Sequence, residues 1–86
     1  MGQIKKVVLD VLKPHKPTIL ELANALSDAD HKTTVNIKVV EVDEHTETLV
    51  VTLCGKNIDL EKVSAKIAEM GGSIHSIDEV EVSSGF

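Results

Sequence analysis

Eighty-six residues with a net charge of −5 and no Arg, Trp or Tyr narrow what this chain can do before any element is placed. Such a length supports one domain with one aliphatic core, burying roughly 60–65 % of the surface its unfolded chain exposes. A surface of this sign repels phosphodiester backbones, and without Arg the bidentate grip on phosphate or carboxylate is gone.

Cys54 is the single cysteine, so no intrachain disulfide forms, which fits a reducing cytosol. No run reaches the ~18 consecutive apolar residues of a membrane span. The opening MGQIKK has Lys6 where a myristoylation signal wants Ser or Thr, and it lacks a signal-peptide core. The expectation is a cytoplasmic protein with no nucleic-acid or membrane partner.

The first strand is expected from about Ile4 to Lys13, with Val7, Leu9 and Val11 on one face and Ile4, Val8, Asp10 and Leu12 on the other. Both faces are then largely apolar, which calls for cover on the second one by another subunit. Pro14 and Pro17 end the strand and hold His15 between them in the loop KPHKP. Thr18 and Glu21 have the spacing of a capping box, opening a helix whose core positions are Ile19, Leu22, Ala23 and Leu26. Its end falls in the polar stretch Ser27 to Asp30.

The second strand runs from about Thr33 to Asp43. Val35, Ile37 and Val39 point inward, while Val40 and Val42 fall out of phase, as a β-bulge would make them. A turn at Glu44, His45 and Thr46 leads to a third strand with Leu49, Val51 and Leu53 on its core face. Asp59 caps a second helix with the stripe Leu60, Val63, Ile67 and Met70, and Gly71–Gly72 stops it. A fourth strand follows from about Ser73 to Val82.

The order β-α-β-β-α-β with right-handed crossovers specifies an α+β, ferredoxin-like domain filling the whole chain. Its four-stranded antiparallel sheet has the order 4-1-3-2, with both helices on one face. The start of the fourth strand then lies beside the end of the first. Asp10, His15, His75, Asp78 and Glu79 converge there, and no other polar groups distant in sequence do so. In this reading Asp10, Asp78 and Glu79 supply oxygen ligands to a divalent cation, Ca²⁺ or Mg²⁺, and His15 and His75 hold a small polar ligand. Asp10 lies between Leu9 and Val11 and needs a partner if covered, for which Lys13 or a neighbour's lysine would serve. The competing reading is a subunit contact made of hydrogen bonds and salt bridges.

Other chemistry finds less support. The acidic hairpin Glu41, Asp43, Glu44 and Glu47 attracts hard cations but lacks the roughly twelve-residue spacing of an EF-hand loop, and charged hairpin tips also discourage edge pairing. A metal chaperone of this architecture uses a Cys-x-x-Cys pair in the first loop, where KPHKP stands. Cys54 reads as a small hydrophobe with no base placed beside it. Base stacking on such a sheet needs exposed aromatics, and acyl-phosphate hydrolysis needs an Arg cradle; neither is present. No catalytic residues are expected.

With VLDVLKPH (Val8 to His15), the Thr18–Glu21 box and IHSIDEV (Ile74 to Val80) in view, the chain resembles the largely archaeal proteins grouped as domain of unknown function 211. The likeness covers about Ile4 to Val82. It implies a ferredoxin-like fold, a homo-oligomeric, ring-shaped assembly and bound divalent cations, and it implies no enzyme activity. It falls on Asp10, Lys13, Pro14, His15, His75, Asp78 and Glu79. The departure is the tail SSGF, short and polar where relatives can carry basic ends. The functional expectation is an oligomeric regulatory or binding module for a small ligand or a divalent cation, without catalytic activity, with a purely structural assembly protein as the alternative.

Overall fold

A computed structural model describes residues 2–84; Met1, Gly85 and Phe86, and with them the end of the SSGF tail, lie outside the described residues. Six elements follow in the expected order: β1 (Gln3–Pro14), α1 (Ile19–Ala29), β2 (Thr34–Val42), β3 (Thr46–Cys54), α2 (Leu60–Glu69) and β4 (Ser73–Ser83). The sheet order is β2-β3-β1-β4, all neighbours antiparallel. This is the 4-1-3-2 order read from the opposite edge, and the fold is ferredoxin-like.

Alternation in β1 and β3 sends Val7, Leu9, Val11, Leu49, Val51 and Leu53 to the helix side, where all are fully buried. Leu22 and Leu26 of α1 and Val63 and Ile67 of α2 close over them. Ile58, in the loop before α2, is also in the core; its N–H donates to the Ile4 carbonyl. The helices start where the sequence places them. Thr18 Oγ1 accepts from the Glu21 N–H at 3.2 Å, and Glu21 Oε1 accepts from the Thr18 N–H at 3.0 Å. Asp59 caps α2 by accepting from the Lys62 N–H. Gly71, at φ +88°, takes the left-handed position that ends α2.

Two features depart from regular alternation. One is the expected slip in β2, a bulge between Val39 and Glu41. The other is a series of three slips between β1 and β4, which leave Lys5, Asp78 and His75 as unpaired residues. The Lys5 bulge corrects the expected facing of Ile4: it packs against the core instead of lying on the opposite face with Val8. The helix-free face is therefore less apolar than expected. Val8, Leu12 and Val50 sit there among Lys6, Asp10, Lys38, Thr48, Thr52 and Glu79.

Apart from Leu12, the exposed apolar residues of the sheet lie at its edges. Helices of 11 and 10 residues span about 15–17 Å, whereas strands of 9 to 12 residues span about 30–40 Å. The sheet outruns its helix layer, giving a long axis of 44 Å against 23 and 16 Å. Ile77 and Val80 pair with Leu9 and Val7 on the helix side, yet they are about half exposed at the β4 edge, as is Val82. Val40 and Val42 are exposed at the end of the opposite edge strand, β2.

Candidate functional site

The helix-free face carries a concavity of about 210 Å³, lined by Asp10, Leu12, Thr48 and His75. Register explains its composition. Leu12 pairs with Thr48 on β3, so the two share a face, and Asp10 lies two residues back along the same side of β1. His75 is the bulged residue of β4 between the pairs Asp10–Ser76 and Val11–Ile74. An unpaired residue is free to turn out of the ladder, and His75 turns its ring so that Nδ1 lies 3.5 Å from Asp10 Oδ2. The Asp10 side chain is 30 % exposed and that of His75 77 %. The expected adjacency of the first and last strands thus brings Asp10 and His75 together.

The other expected members do not join them. Glu79, opposite Val8, holds Lys6 at 3.0 Å. That contact, a hydrogen bond first and a charge attraction second, raises the Lys6 pKa. Asp78 is another bulged residue and accepts from Ser76 Oγ at 2.7 Å. Among the described residues no group of three or more His, Cys, Asp or Glu gathers to hold a metal ion. The reason is local: the two bulges in β4 rotate successive polar residues out of a common direction.

His15 belongs to a different centre. Lys13 continues the phase of Val7, Leu9 and Val11, so it faces the helix side, away from Asp10. It is 1 % exposed. Its ammonium donates to the carbonyls of Pro14 (2.9 Å), His15 (3.3 Å) and Pro17 (2.6 Å) and pairs with Glu47 at 2.9 Å. These partners take up all three donors of a buried ammonium, which would otherwise be costly. His15 completes the arrangement, with Nδ1 3.1 Å from Glu47 Oε2 and Nε2 3.0 Å from the Glu44 carbonyl. The Glu47 contact, helped by the Glu44 carbonyl, raises the His15 pKa. The His15 hydrogen bond, followed by that of Lys13, lowers the Glu47 pKa.

The loop 14–17 is thereby tied to the β2–β3 hairpin, and Lys13 is not the partner expected for Asp10. Of the acidic hairpin residues, Glu47 is committed inward, Asp43 accepts from the Glu44 N–H, and Glu44 lies 3.8 Å from His45. Cys54 is exposed at the end of β3. Sequence reasoning missed Leu12 and Thr48 as pocket walls and Glu47 as the Lys13 partner. The period-two phase carried both signals once the first and third strands are paired.

A model of the family described as DUF211, uncharacterized ArCR, matches residues 5–85. The chain belongs to that family. It is 45 % identical over 80 residues to the uncharacterized protein MJ0319 of Methanocaldococcus jannaschii, covering 93 % of this chain and 82 % of that one. No helix is long and apolar enough to cross a membrane among the described residues.

Proposed function

We propose that this chain is a cytoplasmic, homo-oligomeric binding module without a catalytic step, whose positively charged ligand sits against Asp10 on the helix-free face. The observation that carries the reading is the Asp10–His75 concavity. It presents a partly shielded carboxylate that no lysine of the chain pairs with among the described residues. A carboxylate in such a setting favours a cation. A divalent ion such as Ca²⁺ or Mg²⁺ is one candidate, and it would need further oxygen ligands from a neighbouring copy or from water.

Support for assembly comes from the two separate apolar edges. Ile77, Val80 and Val82 lie along β4, and Val40 and Val42 at the end of β2. These are different surfaces on opposite edges of the sheet, which suits head-to-tail contact. Such contacts close into a ring when the rotation allows. The same observation favours the second reading, a structural assembly with no dedicated ligand.

Calorimetry with Ca²⁺, Mg²⁺ and Mn²⁺ on the native chain and on Asp10→Ala, paired with native mass spectrometry, tests both. The binding module requires a retained mass or a heat that vanishes in Asp10→Ala. A multimer without either supports the structural assembly. A monomer without either overturns both readings.

A further inference from the structure

We infer that the Asp10 concavity is an alkylammonium site: a primary amine head group rests on the carboxylate, with its carbon chain along Leu12. The inference rests on the binding role proposed above and narrows its occupant.

Three observations support it. The first is charge. Asp10 is 70 % shielded, and its only ionic partner among the described residues is His75 at 3.5 Å, beyond good hydrogen-bond length. Lys6 is committed to Glu79, and Lys13 lies on the opposite face with Glu47.

The second is donor count. The walls offer one carboxylate, one imidazole and one hydroxyl. A calcium ion takes about 6–8 oxygens, and no third carboxylate or imidazole stands by among the described residues. An ammonium needs only about three acceptors. The Asp10 carboxylate supplies two, and the Thr48 hydroxyl or water supplies the third.

The third is the apolar wall. Leu12 is 41 % exposed beside the carboxylate. A hydrated metal ion gains nothing from it, whereas each methylene it covers strengthens binding about fourfold. The concavity of about 210 Å³ has room for an ammonium and a short chain.

Two sources share this chemistry: a free amine, or a lysine of a second copy, lysine being the chain's sole basic residue type apart from histidine. The test titrates n-butylammonium, methylammonium and Ca²⁺ into the native protein, Asp10→Asn and Leu12→Ala. In parallel, carbodiimide coupling of mixed light and heavy copies maps any Asp10–lysine bond between chains. Neither Asp10 nor Leu12 belongs to the buried core, so neither substitution opens a core cavity.

A free-amine site shows butylammonium binding more tightly than methylammonium, at least tenfold weaker in Asp10→Asn, with the chain-length preference reduced in Leu12→Ala. A lysine site shows no added amine bound and a coupled Asp10–lysine bond between copies, absent in Asp10→Asn. Ca²⁺ binding that depends on Asp10 and exceeds that of butylammonium overturns the ammonium assignment and leaves the binding role standing. No Asp10-dependent binding and no coupling overturns both.

Discussion

Lys13 shows how much a single phase relation decides. It lies two residues beyond Val11, on the side of β1 that faces the helices, and Glu47 stands in the same phase as Leu49 on β3. Both were legible as inward-facing charges in the sequence, yet their pairing needs the β1–β3 register, in which Lys13 lies opposite Glu47. The carbonyl cradle from Pro14, His15 and Pro17 was not legible, because loop backbone direction leaves no trace in residue type. Replacing Lys13 by Met leaves three carbonyls and a carboxylate without their donor. The expected loss is about 3 kcal/mol in urea unfolding, the low end for breaking a buried pair, since Glu47 is partly exposed. Lys13→Met combined with Glu47→Leu recovers part of it, and strictly additive losses would refute the coupling. His15 gives this centre a pH signature. Its pKa is raised above the ordinary 6.5, so its contribution is full below that pH and fades as pH rises through the folded value. Glu47 is lowered from 4.5, so its contribution is full above that pH and fades as pH falls through the folded value. The melting-temperature difference between the native chain and His15→Ala is therefore expected to be larger near pH 6 than near pH 9. A difference that stays constant across that range excludes a charged His15–Glu47 pair.

At the scale of elements, the sequence specifies strands and helices well and their irregularities poorly. The capping box, the Asp59 cap and the Gly71 stop follow from local chemistry, and all three are found. Thr18→Ala removes one half of the reciprocal pair and costs about 1 kcal/mol. For a domain of this size that lowers the melting temperature by about 4–8 °C, while Thr18→Ser leaves it nearly unchanged. Equal losses in the two variants would mean that the hydroxyl is not what holds the helix start. The bulges at Lys5, Asp78 and His75 were hidden for a physical reason. Each of these three is a mismatch between β1 and β4, and the residue pattern of neither strand records it alone. That is why the expected cluster of Asp10, Asp78 and Glu79 dissolves into separate contacts, while His75, itself a bulged residue, swings toward Asp10. The β2 slip at Val40 was legible because two adjacent valines, Val39 and Val40, break the alternation within one strand.

At the scale of the whole molecule, the mismatch between long strands and short helices leaves the two sheet edges apolar at different places, and this asymmetry makes the proposed assembly testable. Val80 lies on the β4 edge and Val42 at the end of β2. Both are at least half exposed, so replacing either by Asp leaves the core of the monomer intact. If contacts run head to tail, β4 of one copy meets the β2 end of the next. Val80→Asp then spoils one half of every contact and Val42→Asp the other half, so each variant alone is monomeric by sedimentation. Mixed together they behave differently. A chain carrying Val42→Asp keeps a sound β4 edge, and one carrying Val80→Asp keeps a sound β2 end. The mixture therefore forms one-to-one pairs and stops there, since both outer ends of the pair are spoiled. A self-complementary two-fold contact behaves otherwise, because a like patch must meet a like patch and mixing restores nothing. Sedimentation of the mixture as pairs supports head-to-tail assembly. A mixture that stays monomeric, or either variant alone still assembled, refutes it.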